Sequence, residues 1–167
     1  MKTVALVVAL AAVPALADSA GGVTWSAPAA WKADAPRQMR AATYLVPAAK
    51  GDAEGGECAV FYFGAGQGGA VDANIQRWVG QFEGAKAPAQ KKEKLGGFDV
   101  TTVELEGTYQ QSMGGPMGPK TPKAGFKLLG AIVEGPQGNV FFKFTGPAKT
   151  VDAARADFMK MLKELKK

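Results

Sequence analysis

The sequence predicts an α+β domain, a mainly antiparallel sheet with two principal helices, behind an N-terminal export signal. Three observations predict it. Apolar or alternating segments of strand length recur along the chain, separated by turns rich in glycine, proline and lysine. Only two stretches, one starting near Val71 and one closing the chain, carry the three-to-four-residue apolar spacing of an amphipathic helix. The later strands follow one another across short turns, as hairpins do, rather than across helices.

The chain opens MKTVALVVALAAVPALADSA. Lys2 is a short positive region, Thr3 to Val13 an apolar core, and Ala15-Leu16-Ala17 a small-x-small cleavage site. A bilayer span needs about 20 apolar residues, so this run reads as a cleavable signal. Residues 1–17 are therefore expected to leave, with the cut after Ala17. Residues 18–167 then form one domain in the periplasm or outside the cell, with no membrane span. No cysteine stands directly after the cut, which argues against a lipid-modified N-terminus.

Composition excludes several chemistries. The chain has no histidine, which removes imidazole bases, Ser-His and Cys-His nucleophile pairs and the usual zinc sites. No serine stands in a G-x-S-x-G setting. Cys58 is the single cysteine, so no internal disulfide forms, and its place in an apolar strand predicts a buried thiol. Without Lys2, nineteen basic residues face fifteen acidic ones, a net of about +4, partly in the KKEK run at Lys91–Lys94 and the terminal KELKK. In an exported protein this excess points to a solvated surface and not to nucleic acid. An enzyme is not expected, nor a cofactor.

In chain order, Asp18 to Gly22 reads as a flexible leader. Pro28 and Pro36 forbid a long helix around Trp25 and Trp31, so two short extended pieces are expected, with both indoles capping the core. A carbohydrate-stacking pair is the alternative for these indoles. Arg40 to Val46 reads as a strand ended by Pro47, and AAKGDAEGGE as a hairpin connection. Ala59 to Phe63 is apolar on both faces and should lie centrally.

Gly64, Gly66 and Gly69 then fit G-x-G-x-x-G between a strand and a helix, the outline of a dinucleotide fingerprint. The following parallel strand with its acidic residue is missing, however, and that distance falls in a lysine-rich connection, so a cofactor cradle is not predicted. In the helix, Val71, Ile75, Trp78, Val79 and Phe82 share the core face. Asn74, Arg77 and Gln81 form a polar row on one flank. This row either satisfies nearby carbonyls or recognises a partner or anion, and it supplies the candidate binding residues.

GAKAPAQKKEKLGG reads as a solvated connection. Phe98 to Tyr109 alternates, with Thr101, Val103 and Leu105 on one face and Thr102, Glu104 and Glu106 on a wet one. Gln110 to Gly125 holds four glycines and three prolines, and is expected to be a long exposed loop. Lys127 to Val133 and Val140 to Phe144 are strands joined by a Gly135-Pro136-Gln137-Gly138 turn. Thr150 is the expected cap of the last helix, whose stripe is Val151, Ala154, Phe158, Met161, Leu162 and Leu165.

The Trp-x-x-Pro-x-x-Trp opening, the apolar strand with its glycine turn, ANIQRWVGQF and GAIVEGPQGNVFFKFTGPAKTV together resemble a group of uncharacterised exported bacterial proteins. The resemblance runs from about Val23 to Leu165, and its most specific piece is Asn74, Arg77, Trp78 and Gln81 in one helix. It implies the PsbP-like fold, an antiparallel sheet sandwiched by helices. It brings no catalytic residue, and it implies a binding or assembly role with an envelope or extracellular protein or ligand. Nothing in these residues suggests a photosystem. Two other classes are open to test. Met113 and Met117 offer soft thioethers for Cu(I) in the expected loop. Glu104 and Glu106, about 7 Å apart by strand geometry, are the pair a carboxylate hydrolase would need.

Overall fold

A computed structural model describes residues 17–113 and 117–167; the predicted signal peptide, up to its last residue, lies outside the described residues. The elements are β1 (Ala17–Ala20), β2 (Val23–Ser26), β3 (Lys32–Ala33), β4 (Ala42–Val46), β5 (Gly56–Tyr62), α1 (Val71–Val79), β6 (Phe82–Glu83), β7 (Ala89–Leu95), β8 (Phe98–Ser112), β9 (Lys120–Gly135), β10 (Gly138–Pro147) and α2 (Ala148–Lys163). The main sheet runs β3-β4-β5-β10-β9-β8-β6, with β7 added beside β6 on the same edge of β8. All of its pairings are antiparallel, as the sequence predicts.

The inner strands are apolar on both faces because each face carries a helix. Val140, Phe142 and Phe144 of β10 lie level with Val133, Ala131 and Leu129 of β9, and pack with Val151, Phe158 and Leu162 of α2. Phe141, Ile132, Val103 and Leu128 point to the other face and pack with Ile75 and Trp78 of α1. Gly130 sits in that second face because the Trp78 ring fills the space above it. A Cβ built there would stand 2.4 Å from the ring.

Four expectations are corrected. The supposed leader is strand β1, paired with β2, and the Tyr44 hydroxyl donates to the Asp18 carboxylate. The lysine-rich connection contains β7, seven residues paired with β8 across a Gly96-Gly97 turn. An outermost strand needs no apolar face, and its lysines discourage further pairing there, so the composition reads as loop.

The proline-rich loop is mostly a β-ribbon: β8 and β9 stay paired out to Ser112 and Lys120, with an irregularity between Gly107 and Tyr109. Pro122 fits because β9 has lost its other neighbour by that point; β10 pairs with it only as far as Phe126. Finally, α2 begins before Thr150, after Pro147, without a side-chain cap of its own. Asp52, from the β4–β5 connection, takes that place by accepting from the Thr150 N–H at 3.0 Å and the Thr150 hydroxyl at 2.6 Å.

The two N-terminal tryptophans, Trp25 and Trp31, are core. Trp25 is 1% and Trp31 7% exposed, which leaves no face for a sugar. Trp25 Nε1 donates to the Tyr44 hydroxyl at 2.7 Å. Cys58 is fully buried, and burial pushes its thiol well above the ordinary range. No helix among the described residues is long and apolar enough to cross a membrane.

Candidate functional site

The predicted polar row is divided by the fold. Asn74 is 3% exposed, and its amide donates to the carbonyls of Gly68 and Ala70 at 2.7 and 2.9 Å. Arg77 donates to Asn74 Oδ1 at 2.8 Å. These bonds tie the glycine turn, where Gly64, Gly66, Gly68 and Gly69 all have positive φ, to the start of α1. Gln81 falls beyond the end of α1, next to β6, and its side chain turns inward to accept from Lys143 Nζ. The structure therefore brings Asn74 and Arg77 together and sets Gln81 in a different cluster.

That cluster lies on the same face of the sheet as α1, next to Gly130, over which the Trp78 ring sits. Antiparallel register lays the face out in rows. Lys143 lies between Ala59 on β5 and Gly130 on β9, two small neighbours that leave room for its stem. One row further from α1, Thr145 lies between Glu57 and Leu128. Residues two apart on a strand are about 7 Å apart on the same face, so Lys143 and Thr145 share one surface. Lys143 Nζ also donates to the Tyr109 hydroxyl at 3.1 Å and stands 5.0 Å from the centre of its ring. Tyr109 is stacked between Phe82 and Phe126, at centroid distances of 5.1 and 6.1 Å.

Beyond this row the surface opens into a groove of about 410 Å³ whose lining includes Leu45, Pro47, Glu57, Tyr109, Phe126 and Thr145. The two carboxylates that line it, Glu54 and Glu57, are paired with cations around it. Glu57 meets Arg40 at 2.8 Å and Arg37 at 3.2 Å, Asp34 meets Arg37 at 2.5 Å, and Lys123 meets Glu54 at 2.8 Å. Arg40 also lies over Phe61, 5.5 Å from its ring centre. Lys143 forms no ion pair among the described residues; its partners are a neutral amide and a phenol. Burial, seconded by the nearby Arg40 charge and opposed by Glu57, lowers its ammonium to about 8. Burial likewise raises the Tyr109 phenol.

The other two candidate sites differ from this one. Glu104 faces α2, where Arg155 grips it with bonds of 2.9 and 2.7 Å, and Lys127 joins Glu104, Glu106 and Asp152 at 3.3, 3.4 and 2.8 Å. The Arg155 bonds hold the Glu104 carboxyl below its ordinary range, the reverse of what a general acid needs. Met113 and Met117 flank the tip of the ribbon, 57% and 99% exposed. Sequence reading missed Lys143, Arg40 and Glu57 as a group. The signal available was a single charge inside an otherwise apolar inner strand, VFFKF.

No family model matches the chain, and no curated protein matches it. Solved structures do. The solution structure of cyanobacterial PsbP (CyanoP) from Synechocystis aligns over 90% of this chain and 89% of its own, with a TM-score of 0.57 at 9% identity. The chain has the PsbP-like fold. A Pseudomonas aeruginosa protein of unknown function, PA94, aligns over 89% of this chain and 93% of its own, with a TM-score of 0.52 at 13% identity. At such identities the likeness extends to the PsbP-like architecture and leaves the groove's residues to be read on their own chemistry.

Proposed function

We propose that the protein is an exported, non-catalytic binding or assembly module, and that the groove beside Lys143 is its contact site. The observation that carries this reading is the groove on this face of the sheet. It has apolar walls and two carboxylates that are already paired, and beside it, behind Tyr109, stands a cation with no ion pair among the described residues, the make-up of a ligand or partner site. Gln81 carries the predicted binding role into this site, while Asn74 and Arg77 hold the adjoining turn. The Ala15-Leu16-Ala17 cleavage signal supports export, and mass analysis of the N-terminus from fractionated cells should find Asp18 first.

A photo-crosslinking residue at Leu45, which lines the groove and is 40% exposed, tests the contact site in the native envelope. A control at Lys91, on the far edge strand, accounts for chance collisions. An adduct specific to Leu45 supports the reading. Equal labelling from both positions, or none from either, counts against it.

A second reading is Cu(I) handling at the ribbon tip, favoured by the exposure of both Met113 and Met117. Titration with Cu(I) should then move their methyl resonances together; unmoved resonances remove this reading.

A further inference from the structure

We infer that the groove is a site for a small monocarboxylate with an apolar body, its carboxylate received by Lys143. This rests on the groove being the contact site, and adds the chemistry of what enters it.

The argument is first one of charge. Arg40 is answered by Glu57, Lys123 by Glu54 and Arg37 by Asp34. Three cations against three anions leave Lys143 as one positive charge unmatched among the described residues. A half-buried ammonium is costly to keep without a counter-charge, and its two neutral acceptors, Gln81 Oε1 and the Tyr109 hydroxyl, lower that cost only in part. They also occupy two of its three N–H donors, which leaves one to give. A ligand with a single negative charge balances the site, whereas a phosphate dianion would overshoot it and meet Glu57 and Glu54.

The second argument is shape. Leu45, Pro47 and Phe126 give the groove apolar walls, and about 410 Å³ falls within the roughly 300–1,000 Å³ of small-molecule sites. Tyr109 lines the groove and also bonds Lys143, so it marks the end at which the head group would lie. The phenol, bonded to the ammonium through its oxygen, can offer its own O–H to the same carboxylate. Thr145, one row along, offers a further hydroxyl.

The test uses the full-length protein with ¹³C-labelled lysine, titrated at pH 7 with octanoate and 4-phenylbutyrate and with the matching primary amides. The acids should move the Lys143 Cε signal to saturation and bind at least tenfold more tightly than the amides. Lys143→Met should abolish that preference, and Lys143→Arg should keep part of it, thermal melts confirming that both variants fold. The acid–amide comparison on the unaltered protein stands even where a variant fails to fold. Equal binding of acid and amide overturns the carboxylate inference but leaves the groove as a ligand site. Failure of every acid, alongside specific Leu45 adducts with a protein, overturns it while the binding-module reading stands. Failure of both removes both.

Discussion

Arg155 of α2 holds Glu104 of β8 by two parallel hydrogen bonds, 2.9 and 2.7 Å long, which clamp the helix to the margin of the sheet. Lys127 and Asp152 extend this pair into a network at the same edge. Because Glu104 is 33% and Arg155 38% exposed, solvent screens them, and the pair is worth about 0.5–1 kcal/mol. Glu104→Gln should lower stability by that amount at neutral pH. The folded Glu104 carboxyl lies below its unfolded value of 4.5, so its contribution is present above that pH and fades as pH falls through the folded value. Denaturant melts of both proteins from pH 7 to pH 2 should therefore converge in acid; a constant gap would contradict the assignment. Arg155→Lys should not rescue, since an ammonium cannot reproduce the two-pronged bond.

Asp52 supplies the cap that α2 lacks. Its carboxylate takes the Thr150 N–H and hydroxyl, while Thr150 Oγ1 accepts from the Ala49 N–H at 3.0 Å. The same bonds pin the β4–β5 connection, whose Pro47, Ala48 and Glu54 form a wall of the groove. Asp52→Ala should cost about 1 kcal/mol, typical of a lost helix cap. Hydrogen exchange should show faster exchange in both the first turn of α2 and the Ala49 amide. Loss of protection in the helix alone would mean that the connection is held by something else.

The parts of this fold legible in the sequence were those whose side chains report their surroundings. Val140, Phe142 and Phe144 on one face and Phe141 on the other announce an inner strand, and the stripe from Val151 to Leu165 announces α2. Segments stabilised mainly by backbone bonding were not legible. β7 is all but polar and β1 is four small or polar residues, yet both pair because a free strand edge lies alongside. The Gln110–Gly125 segment reads as a loop through its glycines and prolines, yet β8 and β9 stay paired through it as far as Ser112 and Lys120. At the candidate site, helical spacing groups Gln81 with Asn74 and Arg77, although α1 ends before it. Lys143 is not legible as a site residue, since its partners arrive from β8 and from just past the end of α1, 34 and 62 residues away. Pairings at such separations have no local periodicity to betray them.

Trp78 and Gly130 fit as ring and gap. With a Cβ at Gly130 placed 2.4 Å from the ring, Gly130→Ala forces the indole to move, and overpacking of this kind costs about 1–3 kcal/mol. Gly130 also flanks Lys143 in register, so a displaced indole should reach the Lys143 environment as well. Reduced stability with an altered Trp78 fluorescence spectrum is the expected result. Trp78→Phe combined with Gly130→Ala should recover part of the loss by vacating the space. An unchanged melt in Gly130→Ala would show that the sheet and α1 are not packed this closely.

Lys143 gives the protein an unusual response to alkali. Its folded ammonium titrates at about 8 against an ordinary 10.5, so between those values the unfolded chain binds more protons than the native one. Stability must then rise with pH across that window, as the cost of burying the charge is relieved. Lys143→Met removes the effect, so the difference in unfolding free energy, native protein minus variant, should shift in favour of the native protein between pH 7.5 and pH 10. Other lysines and tyrosines titrate in both proteins and cancel in this comparison. The ¹³Cε resonance of Lys143 should show its midpoint near 8, below the ordinary lysine value of 10.5. In the presence of a bound carboxylate that midpoint should move up, because the ligand's charge restores the ammonium. A midpoint already near 10.5 in the free protein would mean that Lys143 is hydrated, and that the site holds no unbalanced charge for an acid to meet.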